Sequence, residues 1–247
     1  MSKYEIKAND YYLIDKAKVI LVNRCMRVFG SSYAVPAPAK PVAQASRRYG
    51  VTEHETAAAY GYHMPKVKRS TSKSSRNLTK KNELLLFGGR GGRPEWAKRV
   101  PKVPPGGCSG EADAKISGGA TPYPVIALAR GIDSGSFVRA MKNPRWIKAN
   151  ESWSSCMAKD GHRYASPLEA IADAKFQEVD NPTAQEKKVA VRDVQCKRES
   201  HLIEVWRKIE SVDQEAKISR HAAELQRLKS FQEAEVQRAH QVLADLN

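Results

Sequence analysis

Long apolar runs and aromatic residues are scarce in this sequence. No stretch of about 18 apolar residues occurs, so we expect no membrane-spanning helix. Aromatic residues make up 7% and apolar residues 41% of the 247 residues. A buried core is therefore expected over part of the chain only, with exposed helix and solvated loop elsewhere. The N-terminal residues contain no apolar h-region, so the sequence predicts no signal peptide in this chain.

The motifs of common catalytic and metal centres are also lacking. The sequence has no G-x-S-x-G, no H-E-x-x-H and no phosphate-binding loop. Its cysteines and histidines lack the close spacing of zinc ligands. Catalysis needs convergent groups, and the best-spaced carboxylates, Glu169 and Asp173, are expected to be solvated. We therefore predict that the protein is not an enzyme and holds no cofactor and no metal ion.

Positive charge is concentrated in the first half of the chain. The net charge is +15, and residues 1–110 hold 21 basic and 7 acidic residues, against 21 and 20 in residues 111–247. The densest stretch, 66–81, has seven basic residues and no acidic or aromatic one. Such a tract can bind polyanions without sequence preference, whereas base stacking would need aromatic side chains. The candidate polyanion-binding residues are Lys66, Lys68, Arg69, Lys73, Arg76, Lys80 and Lys81.

Several interpretations of this basic tract stay open. It can be a solvated loop without a dedicated partner. It can attract cell-wall polyanions or anionic lipid head groups. It can also form part of a nonspecific nucleic-acid site within 66–102.

One cysteine-bearing motif occurs twice. Residues 25–36 and 156–167 align without a gap on the pattern C-M-x3-G-x2-Y-A-x-P, with six matches in twelve positions. In each copy, apolar residues at helical spacing precede the cysteine. The glycine suits the left-handed residue at a helix end. Each copy therefore predicts a helix, a glycine stop and a tyrosine that folds back over the Cys-Met face.

One further cysteine follows each copy of the motif. Cys25 and Cys156 belong to the copies, and Cys108 and Cys196 follow them. Four cysteines allow three pairings, and the duplication favours Cys25–Cys108 with Cys156–Cys196. Each bridge would stabilise the fold by roughly 3–5 kcal/mol. The alternative is four free thiols in a cytoplasmic protein, where cysteine behaves as a small buried apolar residue.

Scattered blocks of the sequence resemble an uncharacterised family of secreted or lipoprotein-type proteins of actinobacteria such as Streptomyces. The blocks are residues 24–30, 47–51, 60–63, 103–108, 153–157, 164–167 and 193–197. The spacing of all four cysteines is similar as well. The resemblance implies export and disulfide bonds, and it implies no assigned activity. This chain departs from the family in lacking the lipoprotein-type leader and in the strongly basic stretch 66–92.

The last part of the chain contains neither proline nor glycine from Thr183 onwards. Thr183 and Glu186 have the spacing of a capping box, and apolar residues recur at helical spacing behind them. We therefore predict one long charged helix over 181–247, whose first half packs on the N-terminal helices. The alternative is self-association through 218–246, although the heptad pattern is too short to specify a coiled coil.

These features together predict a mainly α protein with a small helical domain stapled by disulfides, an irregular basic middle and a long C-terminal helix. The expected segments are 1–36 with the first motif copy, 37–134 as the Pro/Gly/Ser-rich and largely irregular basic region, 135–180 with the second copy, and 181–247. The expected role is a non-enzymatic scaffold or binding protein located outside the cytoplasm or at the cell envelope. The alternative is a cytoplasmic basic protein that binds nucleic acid through 66–102.

Overall fold

The computed structural model describes residues 1–42, 46–65, 78–88 and 103–245. Over these ranges the chain forms α-helices and one 3-10 helix (Ser2–Tyr4) and no strand, which confirms the mainly α prediction. The α-helices are α1 (Ala8–Val28), α2 (His54–Tyr60), α3 (Lys80–Phe87), α4 (Gly107–Ser117), α5 (Tyr123–Ala140), α6 (Pro144–Ala158), α7 (Pro167–Ile171), α8 (Ala174–Gln177), α9 (Ala184–Glu199), α10 (Leu202–Arg220) and α11 (Ala222–Ala244).

The helices are divided between two compact units, each assembled from segments that are distant in sequence. Unit 1 contains Met1 and the described residues of 43–67 and 130–221, and unit 2 contains those of 2–42, 68–129 and 222–247. The units therefore do not follow the consecutive segments expected from the sequence. Tertiary contacts, rather than chain order, decide which helices share a core.

Unit 1 is built around two fully buried tryptophans. Trp153 lies on α6 and Trp206 on α10. Helices α6, α9 and α10 contact one another, and α2 packs on α9. The Trp206 ring lies 4.8 Å from the ring of Phe137 and 5.2 Å from that of Trp146, measured between centroids. Aromatic pairs at such separations add to the energy of burial, so this cluster fixes where α5, α6 and α10 meet.

Unit 2 has the same scheme of helix contacts. Helices α1, α4 and α11 contact one another, and α3 packs on α4. One buried cluster surrounds Met26 and Leu85. A second cluster joins the three long helices through Ile14, Ile116 and Ala239. Both units thus contain three mutually packed helices and a short helix that packs on one of them.

The region 37–134 is more helical than expected over its described residues, because α2, α3, α4 and the start of α5 lie in it. Two glycines of this Pro/Gly/Ser-rich region are needed where α4 begins against the end of α3. A Cβ atom on Gly107 would lie 2.4 Å from the backbone oxygen of Leu86, and one on Gly88 would lie 2.6 Å from the Gly107 nitrogen. Only glycine permits so close an approach of two backbones.

The terminal helical stretch is broken twice, so the expectation of one unbroken helix is corrected. His201 separates α9 from α10 and adopts a left-handed conformation, with φ 53°. His221 separates α10 from α11, with φ −117° and ψ 28°. Helix propensity did not indicate either break, since neither position carries a glycine or a proline. The start was predicted correctly, because Thr183 and Glu186 form the expected capping box.

The packing of this stretch also differs from the expectation. Helices α9 and α10 pack with α2 and α6 in unit 1, whereas α11 packs on α1 and α4 in unit 2. It is therefore the last helix, rather than the first half of the stretch, that lies on the N-terminal helix. On α11 the side chains of Leu225, Leu228 and Ala239 are buried, and Ala239 belongs to a cluster with residues of α1 and α4. The apolar residues of α11 thus contribute to unit 2, and self-association through 218–246 stays a prediction.

Candidate functional site

The four cysteines form the two disulfides that the motif duplication favoured. Cys25 of α1 is bonded to Cys108 of α4, and Cys156 of α6 is bonded to Cys196 of α9. The Cα atoms are 5.6 Å apart in both bridges, which is within the usual range for a disulfide. Each unit therefore has one bridge, and each bridge joins a motif helix to a second helix of the same core.

The two motif copies end their helices in the same way. Gly30 and Gly161 are left-handed, with φ 70° and 79°. The residue after each glycine donates its backbone N–H to the methionine carbonyl, at 3.0 Å for Ser31 to Met26 and 3.1 Å for the corresponding bond in the second copy. Such a bond closes the last turn of a helix at a left-handed residue. Both methionines are fully buried, so the predicted glycine stop is confirmed.

In each motif, the chain after the helix is hydrogen-bonded to the helix residue that lies two positions before the cysteine. In unit 2 the Asn23 side chain donates to the Val35 carbonyl at 2.9 Å and accepts from the Val35 N–H at 2.7 Å. In unit 1 the Ser154 hydroxyl donates to the Tyr164 carbonyl at 2.7 Å. Tyr164 and Tyr33 are partly buried against the core clusters of their units, which contain Met157 and Met26.

The helices beyond the motifs run in different directions in the two units. In unit 2 the Cys25–Cys108 bridge and the Lys18–Asp113 ion pair show that α1 and α4 are antiparallel. In unit 1 the Cys156–Cys196 bridge and the hydrogen bond from Trp153 to Asp193 show that α6 and α9 are parallel. The repeat therefore covers the motif helix and its stop, and does not extend to the direction of the helix to which each motif helix is bridged.

A buried polar network holds residues 46–65 against α9 in unit 1. Lys197 donates to Asp193 at 2.8 Å and to the Val51 carbonyl at 2.9 Å. Burial raises the pKa of Asp193, and the charge of Lys197 opposes that effect. In the first turn of α9, Glu186 accepts from the Tyr62 N–H at 2.7 Å and lies 2.8 Å from the His63 ring. These groups satisfy one another inside the core, so the network is structural.

The two carboxylates that were expected to be solvated, Glu169 and Asp173, both have hydrogen-bond partners. Asp173 accepts from the Tyr164 hydroxyl at 2.7 Å, and this hydrogen bond lowers the pKa of Asp173. Glu169 accepts from the Ala165 N–H at 2.5 Å. Both therefore fix the segment after the second motif copy. Among the described residues, no group of three or more potential ligands could hold a metal ion, and no helix is long and apolar enough to cross a membrane.

Most of the predicted polyanion-binding residues lie outside the part of the chain that the structure describes. These residues are Lys66, Lys68, Arg69, Lys73 and Arg76. The remaining two, Lys80 and Lys81, begin α3 and are exposed. Their exposure leaves both ammonium groups accessible to an anionic partner.

A groove that the sequence did not indicate lies on unit 1, where the end of α5 and the start of α6 meet α10. Its volume is about 480 Å³. The lining residues are Arg139, Ala140, Asn143, Arg145, Lys208, Ile209, Val212, Asp213 and Ala216. The groove depends on contacts between segments about seventy residues apart, such as Arg139 with Asp213, so no local pattern could have revealed it.

The apolar lining residues of the groove are here called its floor, and its polar and charged lining residues, which are mostly basic, are here called its rim. Val212 is 56% exposed there, although its side chain is apolar. The only carboxylate among the lining residues, Asp213, accepts two hydrogen bonds from Arg139, at 3.1 and 2.6 Å, and one from Lys217 at 2.9 Å. The hydrogen bond from Arg139 lowers the pKa of Asp213. The acidic group is therefore neutralised, and two further lining cations, Arg145 and Lys208, remain.

Comparisons with models of known protein families, with curated proteins and with solved structures find no match to this chain. The candidate site therefore stands on its geometry and chemistry alone.

Proposed function

We propose that this protein is a non-enzymatic, disulfide-stapled binding scaffold that works outside the reducing cytoplasm, at the cell envelope. The observation that supports this proposal is that all four cysteines are paired, one bridge to each unit. Disulfides form and persist mainly in oxidising compartments. The sequence resemblance to secreted proteins of actinobacteria points in the same direction.

The bridges have a clear physical purpose in units of this size. A small domain buries a smaller fraction of its surface than a large one and is correspondingly marginal in stability. Each bridge closes a long loop, with a sequence separation of 83 for Cys25–Cys108 and 40 for Cys156–Cys196. Closing such a loop removes entropy from the unfolded chain. A helical binding protein exposed to the cell exterior gains persistence in this way.

The proposed partners are anionic polymers or lipid head groups, which the basic region of the chain would attract. Electrostatic attraction of this kind is nonspecific and weakens as salt rises. The exposed Lys80 and Lys81 at the start of α3 contribute to this charge. Recognition through charge needs no reactive group, which agrees with the structural roles of Glu169 and Asp173.

Cell fractionation with thiol trapping tests the location and the redox state together. Cells that express the protein naturally would be lysed in an excess of an alkylating reagent that adds mass to each free thiol. We expect the protein in the envelope or external fraction, with no thiol labelled until reductant is added. A cytoplasmic protein with four labelled thiols would overturn the proposal and favour the alternative of nucleic-acid binding through 66–102.

Binding to a polyanion tests the proposed partner class separately. We would replace the seven cations of 66–81 with glutamine and measure binding to a fluorescent polyphosphate at several salt concentrations. We expect the variant to bind more weakly and with a smaller salt dependence. The matched control replaces seven exposed cations of unit 1 with glutamine: Lys142, Lys148, Lys159, Arg163, Lys175, Lys188 and Arg198. Equal losses in the two variants would show that net charge alone determines binding and would contradict a role for the tract.

A further inference from the structure

The groove of unit 1 has the size and the surface of a small-molecule site. Its volume of about 480 Å³ falls within the range of pockets that hold small ligands. Ile209, Val212 and Ala216 supply apolar surface that is at least partly exposed. An apolar side chain as exposed as Val212 gains free energy when a ligand covers it. The floor of the groove therefore favours a ligand with an apolar body.

The charges at the rim favour an anionic group on that ligand. Arg139, Arg145 and Lys208 line the groove together with one carboxylate, Asp213. That carboxylate is already bonded to Arg139 and Lys217. Arg145 and Lys208 form no ion pair with the described residues. A cation without a protein partner beside an apolar surface is a ready site for a carboxylate or phosphate oxygen.

The hydrogen-bond donors of the rim also favour an anionic group on the ligand. The side-chain oxygen of Asn143 accepts from the Arg145 N–H at 2.9 Å and so caps α6. Its amide nitrogen then faces ligands only as a donor. Arginine and lysine are donors as well. An ionised carboxylate only accepts hydrogen bonds, so it matches all these groups at once, whereas a neutral alcohol does not.

We propose that this groove binds a small amphiphilic carboxylate, with its head at Arg145 and Lys208 and its apolar body over Ile209 and Val212. None of the described lining residues is aromatic, so the groove offers no stacking surface for a nucleotide base. The alkyl chain is instead covered by aliphatic side chains. This inference does not depend on the location of the protein, so its failure would leave the proposed envelope role standing.

Titration calorimetry of the oxidised full-length protein tests the ligand class. The probe is sodium decanoate below its micelle concentration, compared with acetate, which has the head alone, and decanol, which has the chain alone. We expect saturable binding of decanoate and at least tenfold weaker binding of the other two, since each lacks a group worth about 1.4 kcal/mol or more. Absence of saturable decanoate binding, or equal binding of decanol, would overturn the proposal.

Charge-reversal variants test the place of binding. Lys208→Glu lies in the groove, and Lys188→Glu is the control at another exposed position of unit 1 with the same change in charge. We expect Lys208→Glu to weaken decanoate binding about tenfold or more, as the loss of a charged hydrogen bond implies, and Lys188→Glu to leave it unchanged. A second variant, Val212→Asp, is expected to weaken binding by removing the apolar floor. If the two lysine variants behave alike, the carboxylate binds elsewhere and the proposal fails.

Discussion

Lys197 and Asp193 form an ion pair inside unit 1, with Nζ 2.8 Å from Oδ2 and both side chains almost completely buried. The same ammonium group donates to the Val51 carbonyl at 2.9 Å. Trp153 donates its indole N–H to the other oxygen of Asp193 at 2.9 Å. One pair thus connects α6, α9 and the segment that precedes α2.

Removal of one member of this pair is expected to be costly. Lys197→Met leaves Asp193 buried without its cation, and we predict a loss of about 3–5 kcal/mol in the free energy of unfolding. Urea denaturation measures this loss. The control Lys188→Met, at an exposed position of the same helix, should change stability by no more than about 0.5 kcal/mol. A cost for Lys197→Met equal to that of the control would contradict the buried pair.

The double variant Asp193→Asn/Lys197→Met separates the interaction between the two charges from the packing of the two side chains. Removal of both charges leaves no uncompensated ion in the core. We therefore expect the double variant to be more stable than Lys197→Met alone. A double variant less stable than either single variant would show that the charges do not interact.

Removal of a disulfide should destabilise the protein by an amount that depends weakly on loop length. Replacement of Cys25 and Cys108 by serine, or of Cys156 and Cys196, is expected to cost roughly 3–5 kcal/mol in each case. The longer loop of unit 2 should make its bridge worth slightly more, by less than about 1 kcal/mol. Denaturation with and without reductant measures both effects. Reductant should destabilise the wild type and should have no effect on a variant that lacks both bridges.

Substitution of a motif glycine by alanine should destabilise the protein, and the cause should be backbone conformation alone. A Cβ atom on Gly30 or Gly161 would meet no atom within 4 Å, so no clash is involved. The left-handed conformation costs a non-glycine residue about 1–2 kcal/mol. We predict that Gly161→Ala loses this amount and that Gly161→Asn loses less, because asparagine tolerates the conformation better.

The control for this prediction is Gly131→Ala. Gly131 lies within α5, is not left-handed, and also has open space around its Cα. Alanine favours a helix over glycine by up to about 1 kcal/mol, so this variant should be more stable than the wild type. If Gly161→Ala were also stabilising, the glycine stop would be contradicted.

The Arg139–Asp213 pair makes a pH-dependent contribution to stability. Asp213 has a lowered pKa in the folded protein, because Arg139 donates hydrogen bonds to it. An aspartate in the unfolded chain has a pKa of about 3.9, and at a pH above this value the lowered pKa of Asp213 stabilises the fold. This stabilisation disappears as the pH falls through the pKa that Asp213 has in the folded protein. We predict that Arg139→Gln lowers the urea midpoint at pH 7 and that the difference from the wild type shrinks below about pH 4. Lys142→Gln, which removes the same charge three residues on, should show no such change with pH.

Local signals in the sequence predicted the features that depend on neighbouring residues. The capping box at Thr183 and Glu186, the glycine stops and the helix before each motif cysteine were all predicted in this way. The disulfide pairing followed from the duplication, which relates positions far apart in the chain. These features could be predicted because each of them repeats or has a fixed spacing.

Features that depend on tertiary contacts could not be predicted. Glu186 has a second role as acceptor for Tyr62, which lies 124 residues away. The helix break at His201 has no glycine or proline to mark it. Gly107 lies in a region expected to be largely irregular, yet it is required for the close approach of α3 and α4. The groove of unit 1 likewise depends on Arg139 and Asp213, which meet only in the folded chain.

The most direct test of the stapled scaffold is disulfide mapping of the protein isolated from its natural source. The protein would be alkylated at lysis, digested without reductant and analysed by mass spectrometry. We predict two cross-linked species, one that joins Cys25 to Cys108 and one that joins Cys156 to Cys196. Four alkylated thiols, or a bridge between Cys25 and Cys156, would contradict both the pairing and the role proposed from it.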